Sequence, residues 1–126
     1  EIAPNLGDGI NVGCDRYLHS SIVYQSVTSS EADAREWLTE INRFAVLPDL
    51  VLYLDVDPAV AQRRRIDRKE MEELYDDGEL QARLAAGYRK LFAAGNDVRV
   101  ITLDGSLPQA EVHARCMAGL AEIGIT

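Results

Sequence analysis

The spacing of apolar positions along this 126-residue chain changes several times, and the changes mark an alternation of helices and strands. The clearest segment is "LVLYLDVD", residues 50–57, a near-continuous apolar run that suits a strand covered on both faces. Pro58 follows where it fits the first turn of a helix. "DVRVITLD", residues 97–104, predicts a second strand, and Pro108 opens a helix with Val112, Cys116, Leu120 and Ile123 along its buried side. Between these strands, Leu80, Leu84, Tyr88 and Leu91 recur at helical intervals over residues 79–92.

Upstream, Ala34, Trp37, Leu38, Ile41 and Ala45 share one helical face, with Trp37 as core filler. Ser30 and Asp33 form an N-terminal capping arrangement for that helix, and Pro48 breaks it. A third strand is expected at "INVGC", residues 10–14. It follows "EIAPNLGDG", which ends a helix and turns at Gly7 and Gly9. Another helix is expected from near Tyr17. Strand–helix alternation of this kind predicts a parallel sheet between helical layers, in one domain spanning residues 1–126.

Charge narrows the choice of partner. The net charge is −8, which argues against a broad basic face for nucleic acid. Residues 63–92 hold eight of the basic side chains, most densely in "RRRIDRK", residues 63–69, a pattern compatible with a local anion-binding element. No run of eighteen apolar residues is present, so no membrane span is expected. No secretory signal pattern is found either, and a cytoplasmic setting is expected. Cys14 and Cys116 belong to no CxxC pair and read as buried free thiols.

"NLGDGINVG" has glycines but lacks the lysine and preceding strand of a GxxxxGK[ST] phosphate loop, so it reads as a turn. "DRYLHSSIVYQ", residues 15–25, is more informative, and two readings of it stand. In one, Asp15 and Arg16 leave the carboxyl end of a strand, where open α/β sheets place ligand groups, and Arg16 grips a phosphate. Tyr17, Ser20, Ser21 and Tyr24 then fall on or near one helical face, with Gln25 at its edge. In the other, Asp15 caps an ordinary helix and Tyr24 packs in the core. His19 and His113 have no ligand partners in the pattern and read as non-catalytic. Asp55 and Asp57 read as the turn from strand to helix.

Taken together, "DRYLHSSIVYQ", the later "PDLVLYLDVDPAVAQRR" and "LAAGYRKL" resemble the thymidylate kinase family in wording and in order. The resemblance covers most of residues 1–126. It implies a three-layer α/β/α parallel sheet of the P-loop nucleoside monophosphate kinase type, incomplete at the N-terminus. It also implies transfer of the γ-phosphate of ATP to dTMP, with Mg2+.

By the same resemblance, Arg16 is similar to the arginine that holds the dTMP phosphate, and Asp15 to its acidic partner near the phosphate and magnesium. Ser20 and Ser21 match the pair against the thymine, though some relatives carry Asn where this chain has Ser21. Tyr24 matches the tyrosine beneath the deoxyribose, and Gln25 follows as in many members. Residues 63–78 resemble the lid, with Arg64, Arg65 and Arg68 as candidates for ATP contacts. A homodimer packed through helices is implied as well.

The family's phosphate loop and second-strand substrate motif have no counterpart here. The resemblance places a missing strand centrally, between residues 10–14 and the strand around Val51, so a longer parent enzyme is expected. Its loss would leave two backbone edges unpaired. Two alternatives stand beside this one: another nucleoside or nucleotide kinase, or a noncatalytic α/β domain that binds a nucleotide or a protein.

Overall fold

The computed structural model describes residues 2–67, 78–95 and 97–125. The elements are α1 (Ile2–Gly7), α2 (Leu18–Thr28), α3 (Glu31–Phe44), β1 (Leu50–Asp55), α4 (Pro58–Asp67), α5 (Gly78–Ala93), β2 (Arg99–Asp104) and α6 (Gln109–Ala121). The chain divides into two compact units, Glu1–Leu47 and Pro48–Thr126.

In the second unit, β1 and β2 pair in parallel with Leu50 opposite Arg99 and Asp55 opposite Asp104. Parallel neighbours need a long crossover, here carrying α4 and α5. Successive strand residues point to opposite sides of the pair, and each side meets a helix. On one side, α6 lies so close that a Cβ at Gly119 would come within 2.9 Å of Ile101 Cδ1 and 3.3 Å of Leu52 Cδ2. On the other, Tyr53 packs on Tyr88 and Phe92 of α5, with ring centroids 5.9 and 4.7 Å away. Among the described residues, Leu84 and Leu103 are the buried large apolar side chains of this unit. The coverage is incomplete, since Leu54 remains 48% exposed.

Asp57 caps α4: its Oδ1 accepts the Ala59 amide at 2.8 Å, and its carbonyl accepts the Ala61 amide at 3.0 Å. Pro58 thus occupies the first helical position, where its missing N–H costs nothing. The expected role of Asp57 in turning strand into helix has this cap as its physical basis.

In the first unit, α2 packs against α3, and Leu18 and Val23 of α2 are buried. Three expectations need correction here. Residues 10–14 form no strand. A strand exists only through a neighbouring backbone, and the sheet among the described residues holds β1 and β2 alone. Trp37 is 36% exposed rather than core filler, since helical periodicity marks an apolar face and not what covers it. Cys14 is exposed and Cys116 half-buried, so the free thiols are not the buried pair expected. The capping role of Asp33 and the packing of Ala34 fall on side chains outside the described residues.

Candidate functional site

The first unit contains an open, shallow cavity of about 510 Å3. It is lined by Arg16 and Tyr17 from the bend before α2, by Leu18, Ser20, Ser21 and Tyr24 of α2, by Ile41 of α3, and by Ala45 just after it. Helical repeat explains much of this lining: steps of three and four along α2 bring Tyr17, Ser20, Ser21 and Tyr24 to one side. The neighbouring Leu18 and Val23 anchor the helix by burial.

Tyr17 holds the N-cap position of α2, and no side chain caps it. The amides of Ser20 and Ser21 donate to the Tyr17 carbonyl at 3.1 and 3.3 Å. The reading in which Asp15 caps the helix is therefore corrected. The DRY segment is a bend ahead of the helix, not its first turn.

Within that bend Arg16 takes φ 61°, the single positive φ of a non-glycine residue among the described residues. That region crowds any residue with a Cβ and is held only where the surroundings impose it. The Arg16 guanidinium rests beside Tyr24, with Nη1 3.5 Å from the tyrosine oxygen and Cζ 5.9 Å from the ring centroid. Asp15 is exposed one residue earlier. Gln25 is half-buried and is not among the residues lining the cavity. Burial lowers the pKa of His19 on α2 below its ordinary value, which favours the neutral ring.

Ile41 and Ala45 give the cavity an apolar wall. Their spacing marked them as members of a helical face, but nothing in the pattern said that part of this face fronts a cavity. The left-handed turn at Arg16 has no sequence signal at all, because glycine or asparagine would have announced it.

A second polar group gathers where β1 and β2 end. Arg89 of α5 donates through Nε to Asp55 Oδ1 and Oδ2 at 3.0 and 3.1 Å, and its Nη2 lies 2.9 Å from Oδ1. Tyr53 Oη donates to Asp55 Oδ1 at 3.3 Å. Burial, and then the Asp55 charge, push the Tyr53 phenol up to about 12. The hydrogen bond to Asp55, and then its charge, raise the Arg89 pKa.

Among the lid candidates, Arg64 donates Nη1 to the Gly105 carbonyl at 2.6 Å and Nη2 to the Ser106 carbonyl at 2.8 Å, holding the loop after β2. Arg65 is half-buried on α4. Arg68 and residues 69–77 of the lid-like segment lie outside the described residues.

A helix-flanked parallel sheet of this kind matches the core of P-loop-type kinases. A structure of deoxyadenosine kinase from M. mycoides with bound dCTP superposes with a TM-score of 0.68 over 85% of this chain and 62% of that one. At 21% identity, that likeness speaks for the fold alone.

Sequence takes the assignment further: the thymidylate kinase family profile matches residues 1–116, and the chain belongs to that family. A probable thymidylate kinase of Thermococcus gammatolerans is 36% identical over 96% of this chain and 55% of its own length. One from Staphylothermus marinus reaches 51% identity over 52% of this chain and 31% of its own length. A thymidylate kinase of Geobacillus sp. is 30% identical over 97% of this chain and 60% of its own length. The chain thus spans little more than half the length of the curated relatives it matches most fully.

Proposed function

We propose that the complete polypeptide carrying this chain is a thymidylate kinase, and that residues 15–24 form the site of its acceptor nucleotide. The observation that supports this reading best is the convergence of Arg16, Ser20, Ser21 and Tyr24 on one cavity. Family membership adds the reaction class.

The chemistry follows from the groups present. A guanidinium offers paired donors to a 5′-phosphate. Ser20 and Ser21 supply hydroxyls that donate or accept at the edge of a base. Tyr24 supplies a broad wall for a sugar, and its bulk disfavours a 2′-hydroxyl. Ile41 and Ala45 add apolar surface, which suits a methylated base better than a polar one. The 5′-phosphate oxygen of dTMP attacks the γ-phosphorus of ATP, and ADP leaves. Side chains of this kind contribute positioning and charge neutralisation rather than a covalent intermediate.

Arg65 and Arg68 are the proposed donor-side contacts, stabilising charge on the transferring oxygens, and Arg64 would join them only by leaving the Gly105 and Ser106 carbonyls. Magnesium, when bound, would neutralise charge on the donor phosphates. Among the described residues, no three His, Cys, Asp or Glu side chains gather as a metal cage. Exposed Asp15 is the carboxylate of this chain proposed to hold the ion. A homodimer is proposed from family membership. No helix among the described residues is long and apolar enough to cross a membrane.

The reading is tested by assaying the complete polypeptide with ATP and Mg2+ against dTMP, other nucleoside monophosphates, and deoxynucleosides. It predicts preferred formation of dTDP. Preference for an unphosphorylated deoxynucleoside would replace it with a nucleoside kinase, and dTMP binding without turnover would leave a noncatalytic binding domain.

A further inference from the structure

We propose that Tyr24 is a positioning residue for Arg16, holding the guanidinium over the cavity in an orientation ready for a monophosphate. This deepens the proposed acceptor site and rests on it. The backbone cannot set that orientation alone. Arg16 lies in a bend outside any regular element, between the irregular residues 10–14 and the start of α2. Its φ of 61° is unfavourable for an arginine, so neighbouring contacts must impose it.

Tyr24 meets the guanidinium itself, and does so from a firm base. It sits within α2, beside fully buried Val23, and its carbonyl accepts the Thr28 hydroxyl at 2.7 Å. Its hydroxyl lies 3.5 Å from Arg16 Nη1, and its ring is within cation–π range of Cζ at 5.9 Å. Both residues line the same cavity.

The choice of tyrosine has a physical logic. A carboxylate would also orient a guanidinium, but it would neutralise the charge and compete with an incoming phosphate. Among the described residues, no carboxylate stands within ion-pairing distance of Arg16. An aromatic ring and a neutral hydroxyl orient the group while leaving its charge for the ligand. Tyr24 therefore acts on the phosphate end of the acceptor through Arg16, separately from any contact with the sugar.

The test is a double-mutant cycle in the complete polypeptide, using Tyr24→Leu, Arg16→Ala and the double variant. Tyr24→Phe serves as the conservative variant, and circular dichroism checks each fold. The readouts are the Kd for dTMP by calorimetry without ATP, and the inhibition constant of thymidine, which lacks the phosphate.

Tyr24→Leu is expected to weaken dTMP by about 2- to 5-fold more than it weakens thymidine. That excess disappears in the Arg16→Ala background. Tyr24→Phe keeps most of the effect through its ring. Equal weakening of dTMP and thymidine by Tyr24→Leu, added in full on Arg16→Ala, would overturn the proposal and leave Tyr24 as a sugar contact only. A wild-type protein that binds neither compound would remove the acceptor site itself, and this proposal with it.

Discussion

Asp55, the last residue of β1, holds Arg89 of α5 by a forked contact in which Nε and Nη2 share the carboxylate at 2.9–3.1 Å. The pair ties a helix to the carboxyl end of a strand, yet its side chains remain 48% and 31% exposed. Solvent screens charges placed there, so the contact sets geometry more than it adds stability. Arg89→Met is accordingly expected to leave the urea midpoint almost unchanged. The small loss it does cause should shrink further as salt is raised from low to molar concentration. A large, salt-independent loss would mean that the pair is an integral part of the packing.

Tyr53 next to this pair gives a pH dependence with a definite sign. Its phenol is pushed from an ordinary value of 10.0 up to about 12 in the folded chain, by burial first and then by the Asp55 charge. Between those values the unfolded chain releases the proton while the folded chain keeps it. The contribution of Tyr53 is therefore whole below pH 10 and is lost as pH rises through about 12. Denaturation series from pH 9 upward should show stability falling across that window, and Tyr53→Phe should flatten the fall.

Gly105, directly after β2, is required by close packing. A Cβ there would collide with Val56 Cγ2 and approach the Asp55 carbonyl oxygen at 3.4 Å. Valine is branched at Cβ and cannot swing aside as a longer side chain would. Gly105→Ala is expected to cost about 1–3 kcal/mol. The same change made with Val56→Ala should cost distinctly less, which a double-mutant cycle would measure.

Sugar selection by Tyr24 is a separate consequence of the acceptor site. If bulk excludes a 2′-hydroxyl, Tyr24→Phe keeps the preference for deoxyribose and Tyr24→Ala relaxes it. Steady-state comparison of dTMP with its ribose counterpart would show this. Equal use of both by the wild-type enzyme would contradict the steric role.

Local chemistry was legible where each element contains its own cause. The run from Leu50 to Asp55, the Pro58 helix start and the spacing of Leu84 and Tyr88 specify strand and helices from within. Residues 10–14 depart from the strand that their pattern predicts because an apolar run does not reveal whether a backbone partner exists. The exposure of Trp37 has a related reason: helical periodicity identifies an apolar face, not what covers it.

At the candidate site, the helical spacing of Ser20, Ser21 and Tyr24 brought them to one cavity with Arg16. Ile41, Ala45 and the Asp55–Arg89 contact depend on which elements meet, and no motif encodes that. Arg64 shows the same limit, since its hold on the Gly105 and Ser106 carbonyls spans more than forty positions of chain.

The most direct test of the central claim compares the complete wild-type polypeptide with Arg16→Ala, measuring kcat/KM for dTMP at saturating ATP. Loss of a charge-assisted phosphate contact predicts a fall of about 10- to 100-fold, borne by dTMP rather than by ATP. Turnover of dTMP within 2-fold of wild type, about what a contact of no consequence would leave, would contradict the assignment of Arg16 to the acceptor phosphate.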